Sequence, residues 1–166
     1  MRAVLSTKSD VNITSSVELR RLSRPRRNIR GRKMATVLLA EDDADIRFLV
    51  TFKLTQAGYQ VRVFGDGLSA LADARENPPE LVVLDVMMPG MSGLEVCREL
   101  RKDPATAKIP VIILTALAQE ADIAAGFAAG AADYIVKPFS PRDFAMRVDA
   151  VLARAQASTP PPWGSR

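Results

Sequence analysis

Glu41, Asp42, Asp85, Thr115 and Lys137 are the residues of this chain whose types and spacing could do chemistry together. Three carboxylates gathered in one crevice would repel one another, by roughly 4 kcal/mol for a pair ~4 Å apart at an effective dielectric of 20. A hard divalent cation is the simplest relief, and Mg²⁺ suits a few acids on an open edge, because it takes one or two carboxylates together with waters and phosphate oxygens. A carboxylate can also be the nucleophile itself and form an aspartyl-phosphate. Thr115 and Lys137 would then offer a hydroxyl and an ammonium to the phosphoryl oxygens, the positioning and charge neutralisation that phosphoryl transfer needs. Taken singly, each has a plainer reading: an acid at a strand end can cap a helix, a threonine there can bond to backbone, and a lysine is usually a solvated charge. Four separate strand ends delivering compatible groups argue for one site.

The elements that must position these groups are visible as short apolar runs, each ending on a reactive residue. Val37 to Ala40 runs into Glu41 and Asp42, Leu81 to Leu84 into Asp85, Val111 to Leu114 into Thr115, and Tyr134 to Val136 into Lys137. Runs of this kind without alternation read as strands buried on both faces of a parallel sheet, whose ligand crevice lies beyond the carboxyl ends of the strands. Thr36 to Ala40 is the first strand and Gln60 to Phe64 the second. Between them Asp43 or Asp45 caps a helix whose apolar positions are Ile46, Leu49, Val50, Phe52 and Leu54, with the Lys53 stem, stopped by Gly58. Gly67 to Glu76 is a helix closed by Asn77, Pro78 and Pro79. Ser92 caps Gly93 to Lys102, with Leu94, Val96, Cys97 and Leu100 inward. Glu120 to Ala129 follows, ended by Gly130, then a strand from Ala132 to Val136. Ser140 and Pro141 open a last helix to about Gln156. Five βα units predict an α/β fold: a doubly wound five-stranded parallel sheet in a three-layer sandwich.

Composition excludes several classes. The 166 residues are 48% hydrophobic and 25% charged, enough for one domain with an adequate core. Histidine is absent, so imidazole-activated nucleophiles, imidazole metal ligands and a phosphohistidine donor are all excluded. A lone cysteine, Cys97, permits no internal disulfide and reads as a small core residue. No stretch approaches the ~20 apolar residues of a membrane span, so a soluble domain is expected. Charge is unevenly placed. Residues 1–33 carry ten Lys or Arg against two acids, and residues 34–166 carry thirteen against seventeen.

At this point the chain resembles the response-regulator receiver domains of two-component signalling, and in particular the single-domain chemotaxis-regulator type. The resemblance spans residues 34–156. It is carried by Ala40-Glu41-Asp42-Asp43, by Leu84-Asp85-Val86-Met87-Met88-Pro89-Gly90-Met91-Ser92-Gly93, by Thr115-Ala116, and by Tyr134-Ile135-Val136-Lys137-Pro138-Phe139, in that order. Intervals of 43, 30 and 22 residues separate Asp42, Asp85, Thr115 and Lys137. The resemblance implies a flavodoxin-like (βα)5 fold. It implies that Asp85 accepts a phosphoryl group from a partner kinase's phosphohistidine. Mg²⁺ would be bound by Asp42, Asp85 and the backbone carbonyl of Met87, and by Glu41 through water. Thr115 and the backbone N–H of Ala116 would hold one phosphoryl oxygen and Lys137 another. Tyr134 would be the aromatic that turns inward when Thr115 moves, and Lys137-Pro138 a cis peptide. Such a domain is no enzyme beyond catalysing its own phosphorylation and dephosphorylation. Its partners would be a sensor histidine kinase or phosphotransfer protein and a downstream target protein, in the cytoplasm.

Two departures have consequences. Ser92 stands where many relatives have Asp, which is one helix cap for another. Met87 and Leu117, two residues beyond Asp85 and Thr115, are apolar where polar groups could orient a hydrolytic water, which predicts a long-lived phosphoryl group. No room for a DNA-binding or catalytic effector is evident after residue 156, so output is expected through protein contact on the face of the fourth helix, fifth strand and last helix, or by passing phosphate onward in a relay. A homodimer through that face is expected to be weak, since Glu120 to Ala129 holds no basic residue. Residues 157–166, with Pro160, Pro161 and Pro162, read as a stiff extended tail. The basic arm of residues 1–33 reads as disordered and fits a transit peptide, a nucleic-acid or anionic-membrane tether, or sequence upstream of a start at Met34. Two rival functions stay open. A haloacid-dehalogenase-like phosphatase shares the Asp nucleophile and Mg²⁺ but wants a second Asp where Met87 stands. A nucleic-acid binder would use the arm with the receiver as its switch.

Overall fold

The computed structural model describes residues 34–158. The expectations for the arm of residues 1–33, and for the tail beyond Ser158, lie outside the described residues. Strands and helices alternate: β1 (Thr36–Ala40), α1 (Ala44–Gln56), β2 (Gln60–Phe64), α2 (Gly67–Glu76), β3 (Leu81–Leu84), α3 (Gly93–Lys102), β4 (Val111–Thr115), α4 (Glu120–Ala128), β5 (Asp133–Val136) and α5 (Pro141–Ala157). The five strands form one parallel sheet in the order β2-β1-β3-β4-β5. The doubly wound fold expected from the pattern is the one observed.

Strand order and register place the chemistry. The chain reverses its winding between β1 and β3, which opens a crevice at the carboxyl ends of those two strands. Ala40 pairs with Leu84, so Glu41 and Asp85 leave the sheet side by side. Thr115 pairs with Val136, so Lys137 emerges one position further along the same edge.

Because successive strand side chains point to opposite faces, the apolar runs feed two cores. Val37, Leu39, Val83, Ile112 and Leu114 pack with Val50 and Leu54 of α1 and Phe144 and Val148 of α5. Leu38, Val82, Leu84 and Ile113 pack on the other face with Ala70 and Leu71 of α2 and Val96, Cys97 and Leu100 of α3. Each fully buried Val, Leu or Ile contributes about 1.5–3 kcal/mol of transfer free energy before entropy is counted. Cys97 is buried among them: its Sγ lies 3.3 Å from the Ala129 carbonyl oxygen, and burial pushes the thiol pKa up.

Local signals act as anticipated at several helix starts. Asp43 caps α1, accepting from the N–H groups of Asp45 and Ile46 at 2.9 Å each. Ser92 caps α3 in a reciprocal box in which Glu95 accepts the Ser92 N–H at 2.8 Å. Ser140 with Pro141 opens α5. The expected inner face of α1 needs correction. Leu49 is partly exposed and Phe52 is 53% exposed, as is the neighbouring Phe48 at 74%. Only Val50 and Leu54 are fully buried on this helix. The sheet and α5 cover a stripe narrower than the apolar positions of α1 could fill, and the Phe48 and Phe52 rings, one turn apart, stack on each other outside it.

Candidate functional site

Glu41 and Asp42 follow β1 directly and Asp85 follows β3. One carboxylate oxygen from each lies within 4.8 Å of the other two. Glu41 is fully buried and Asp85 nearly so, while Asp42 is exposed. The crevice is therefore an acid pair set into the sheet end with a third acid at its mouth.

Lys137 answers part of this charge. Its ammonium lies 2.7 Å from Glu41 Oε2 and 3.5 Å from Asp85 Oδ2, and its side chain is itself largely buried. Glu41 Oε1 accepts the Asp43 N–H at 3.1 Å. Even so, desolvation raises the Glu41 pKa above the ordinary glutamate value, with the Asp85 charge adding to it and Lys137 and the Asp43 N–H opposing. Both Glu41 oxygens are thus engaged within the protein. Asp85, whose oxygens have only the looser contacts to the Met87 N–H at 3.3 Å and Lys137 at 3.5 Å, and the exposed Asp42 are the carboxylates with more capacity for a direct bond to a cation. A hard, oxygen-only donor set with one open side fits a small divalent ion.

The second half of the crevice comes from β4 and β5. Thr115 is fully buried, and its Oγ1 accepts the Leu117 N–H at 3.4 Å. Its backbone oxygen accepts the Lys137 N–H at 2.8 Å, which ties the two strand ends together. Ala116 follows Thr115 on the exposed edge. Met87, 63% exposed, donates its N–H to Asp85 Oδ1 at 3.3 Å, which holds its peptide over the acid. Tyr134 is buried, with its hydroxyl on the Leu117 carbonyl at 2.9 Å. The Lys137-Pro138 peptide is cis.

Three supporting roles escaped the sequence reading. Arg47 donates from Nη1 to the carbonyls of Glu41 at 2.8 Å and Asp42 at 3.1 Å, pinning the loop that carries both acids. Its place one turn into the helix that follows the acid pair was the available signal. Arg147 on α5 grips Asp133 through two bonds of 2.8 and 2.6 Å and reaches the Tyr134 carbonyl at 3.1 Å. Gly93 allows the start of α3 to press on the Asp85 backbone: a Cβ there would fall 2.1 Å from the Asp85 carbonyl oxygen. Nothing in the local sequence marks Arg147 for its task.

An acid crevice at the switch point of a parallel sheet, with one lysine and one buried hydroxyl facing it, defines a phosphoacceptor class of α/β signalling domain. Residues 37–149 match the response regulator receiver domain model, and the chain belongs to that family. It is 43% identical over 118 residues to the DNA-binding response regulator MtrA of Mycolicibacterium paratuberculosis, a match covering 71% of this chain and 51% of that protein. It is 45% identical over 123 residues to the probable transcriptional regulator ycf27 of Porphyra purpurea, covering 74% and 49%. The chain thus spans about half the length of the curated relatives it matches. Among solved structures, the BeF3-activated DrrB receiver domain superposes with a TM-score of 0.66 at 40% identity, over 74% of this chain and all of that one. The chemotaxis response regulator CheY4 of Vibrio cholerae superposes with a TM-score of 0.68 at 34% identity, over 72% and 99%. Receiver domains are signalling modules of two-component systems that bind Mg²⁺ at an acidic pocket, and this structure carries an acidic cluster of Glu41, Asp42 and Asp85 at the carboxyl ends of β1 and β3. Among the described residues no helix is long and apolar enough to cross a membrane.

Proposed function

We propose that this receiver takes up a phosphoryl group on Asp85 from the phosphohistidine of a sensor kinase or phosphotransfer protein in the cytoplasm, and signals by a change in protein contacts. The observation that carries this reading is the position of Asp85: almost wholly buried, beside two further acids, and 3.5 Å from the Lys137 ammonium. An Asp85 carboxylate oxygen attacks phosphorus, the P–N bond breaks, and its electron pair returns to the imidazole of the donor. Mg²⁺, held by Asp42, Asp85 and the Met87 carbonyl and by Glu41 through water, would neutralise charge on the phosphoryl oxygens. Lys137 holds one phosphoryl oxygen, and Thr115 with the Ala116 N–H holds another. When Thr115 moves toward that oxygen it releases the Leu117 N–H, and Leu117 is the residue on whose carbonyl Tyr134 rests. That link supports Tyr134 as the reporter of the site to α4, β5 and α5, where Phe127 and Met146 are exposed for a partner protein.

Intact-mass measurement after incubation with acetyl phosphate tests the reading. A gain of one phosphoryl group that requires Mg²⁺ and is lost in Asp85→Asn is expected. No gain under any condition would reduce the domain to a binding module.

The surplus of ten Lys or Arg over two acids in residues 1–33 favours a second reading, in which the receiver governs binding of that segment to nucleic acid. Salt-dependent binding that vanishes on removal of residues 1–33 would support it.

A further inference from the structure

The three acids of the crevice are not held in the same way. Glu41 is fixed by Lys137 and the Asp43 N–H, and Asp85 is approached by Lys137 and the Met87 N–H. The Asp42 carboxylate is exposed, and among the described residues no other side chain makes a hydrogen bond or ion pair with it. Its position is inherited from its backbone.

That backbone is held on both sides of the Asp42 side chain by one nitrogen. Arg47 Nη1 donates to the Glu41 carbonyl at 2.8 Å and to the Asp42 carbonyl at 3.1 Å. The segment is anchored before this point by the Glu41 N–H on the Phe64 carbonyl at 3.0 Å, and after it by the Arg47 N–H on the Asp43 carbonyl at 2.9 Å. The peptide between Asp42 and Asp43 is engaged at both ends: its C=O meets the Arg47 guanidinium, and its N–H meets Glu41 Oε1 at 3.1 Å. Hydrogen bonds in such a chain polarise and strengthen one another. Arg47 thus fixes the turn from which the Asp42 carboxylate projects and, through the same peptide, keeps Glu41 directed at Lys137.

We propose that Arg47 is a positioning residue for the cation site, holding the Glu41–Asp42 turn rigid enough to favour Mg²⁺ over the larger Ca²⁺. The inference rests on the reading that Asp42 and Asp85 bind the cation directly. Mg²⁺ demands near-ideal octahedral bonds of about 2.0–2.1 Å, whereas Ca²⁺ accepts six to eight oxygens at about 2.3–2.6 Å in flexible geometry. A carboxylate whose backbone is loosened therefore costs Mg²⁺ more than Ca²⁺. The Arg47 charge acts differently, since it repels two dications alike. The ratio of the two affinities consequently reports the tether rather than the charge.

Calorimetric titration of the full-length protein with MgCl₂ and, separately, with CaCl₂ reads this ratio without any phosphoryl transfer. In Arg47→Met, which keeps a helix-forming stem and removes the donors, Mg²⁺ should bind about tenfold more weakly, the lower end of the cost of removing a group that orients a metal ligand. Ca²⁺ should lose distinctly less. Arg47→Lys keeps the charge and a shorter-stemmed donor, so its preference for Mg²⁺ should fall in the same direction by less, and both variants should retain the helical circular dichroism of the parent. Equal losses for the two ions, or tighter Mg²⁺ binding in Arg47→Met, would overturn the proposal while leaving the cation site in place. No Mg²⁺ binding by the unaltered protein, or binding that survives Asp42→Asn undiminished, would instead overturn the assignment of the ligands and the proposal with it.

Discussion

The ring of Tyr134 occupies the space that a side chain at Gly126 would need: a Cβ built there would sit 2.6 Å from Tyr134 Cδ2 and 2.7 Å from Cε2. The absence of a side chain on α4 is therefore what lets this aromatic lie inward, with its hydroxyl on the Leu117 carbonyl.

Alanine at position 126 should displace the ring. Its better helix propensity favours the fold by about 1 kcal/mol, while the clash costs about 1–3 kcal/mol, so a net loss on the order of 1 kcal/mol is expected in thermal unfolding. Burial, with the Asp122 charge behind it, holds the Tyr134 pKa above the ordinary tyrosine value. In Gly126→Ala, spectrophotometric titration should show this tyrosine ionising closer to that ordinary value, and an unchanged titration would mean that the ring has not moved.

Lys137→Met leaves Glu41 buried without its ammonium. Breaking a buried pair from one side costs about 3–5 kcal/mol, and urea unfolding should show a loss at the lower end of that range. Adding Glu41→Gln should recover most of it. A double variant no more stable than the single one would show that the pair is not where the energy lies.

The alkaline limb of stability should belong in part to Tyr59. Its hydroxyl donates to Asp149 on α5, and burial together with that carboxylate raises its pKa well above the usual tyrosine value. Above pH ~10 an unfolded chain loses this proton while the folded chain keeps it, so the folded state binds more protons and stability falls as pH rises. Tyr59→Phe should flatten that fall. At neutral pH it should cost about 1.5 kcal/mol for a hydrogen bond to a charged acceptor. Denaturant midpoints measured from pH 7 to 11 separate the two effects.

Met87 is 63% exposed at the mouth of the crevice and offers no polar group to a water approaching phosphorus. Met87→Asn should shorten the lifetime of the phosphorylated protein by about tenfold, the rate equivalent of one hydrogen bond of about 1.4 kcal/mol to the attacking water. Decay followed by intact mass gives the comparison, and equal half-lives would remove Met87 from the explanation.

What could be read in the sequence and what could not divides along physical lines. Unbroken runs such as Val111 to Leu114 reveal strands buried on both faces, and the residue that ends each run reveals the rim of the crevice, because both follow from backbone geometry alone. Ser92 and Asp43 likewise announce helix starts through bonds to their own neighbours. Phe52 was misplaced because periodicity identifies apolar positions but not how wide a stripe the sheet will cover. Arg47 and Arg147 were missed because a long flexible cation chooses its acceptors only after the fold has brought them near. Gly126 reads as one more small residue in an alanine-rich helix until the ring of Tyr134 is seen beside it.

The contact between Gly93 and the Asp85 carbonyl makes the two walls of the crevice mechanically unequal. Where a Cβ would stand 2.1 Å from that oxygen, there is no slack for β3 and the start of α3 to slide past each other. On that side Asp85 is mounted on a fixed anvil. The opposite wall is held by hydrogen bonds at Thr115, Leu117 and Tyr134, so under the proposed phosphorylation of Asp85 the strain would leave through β4 and β5.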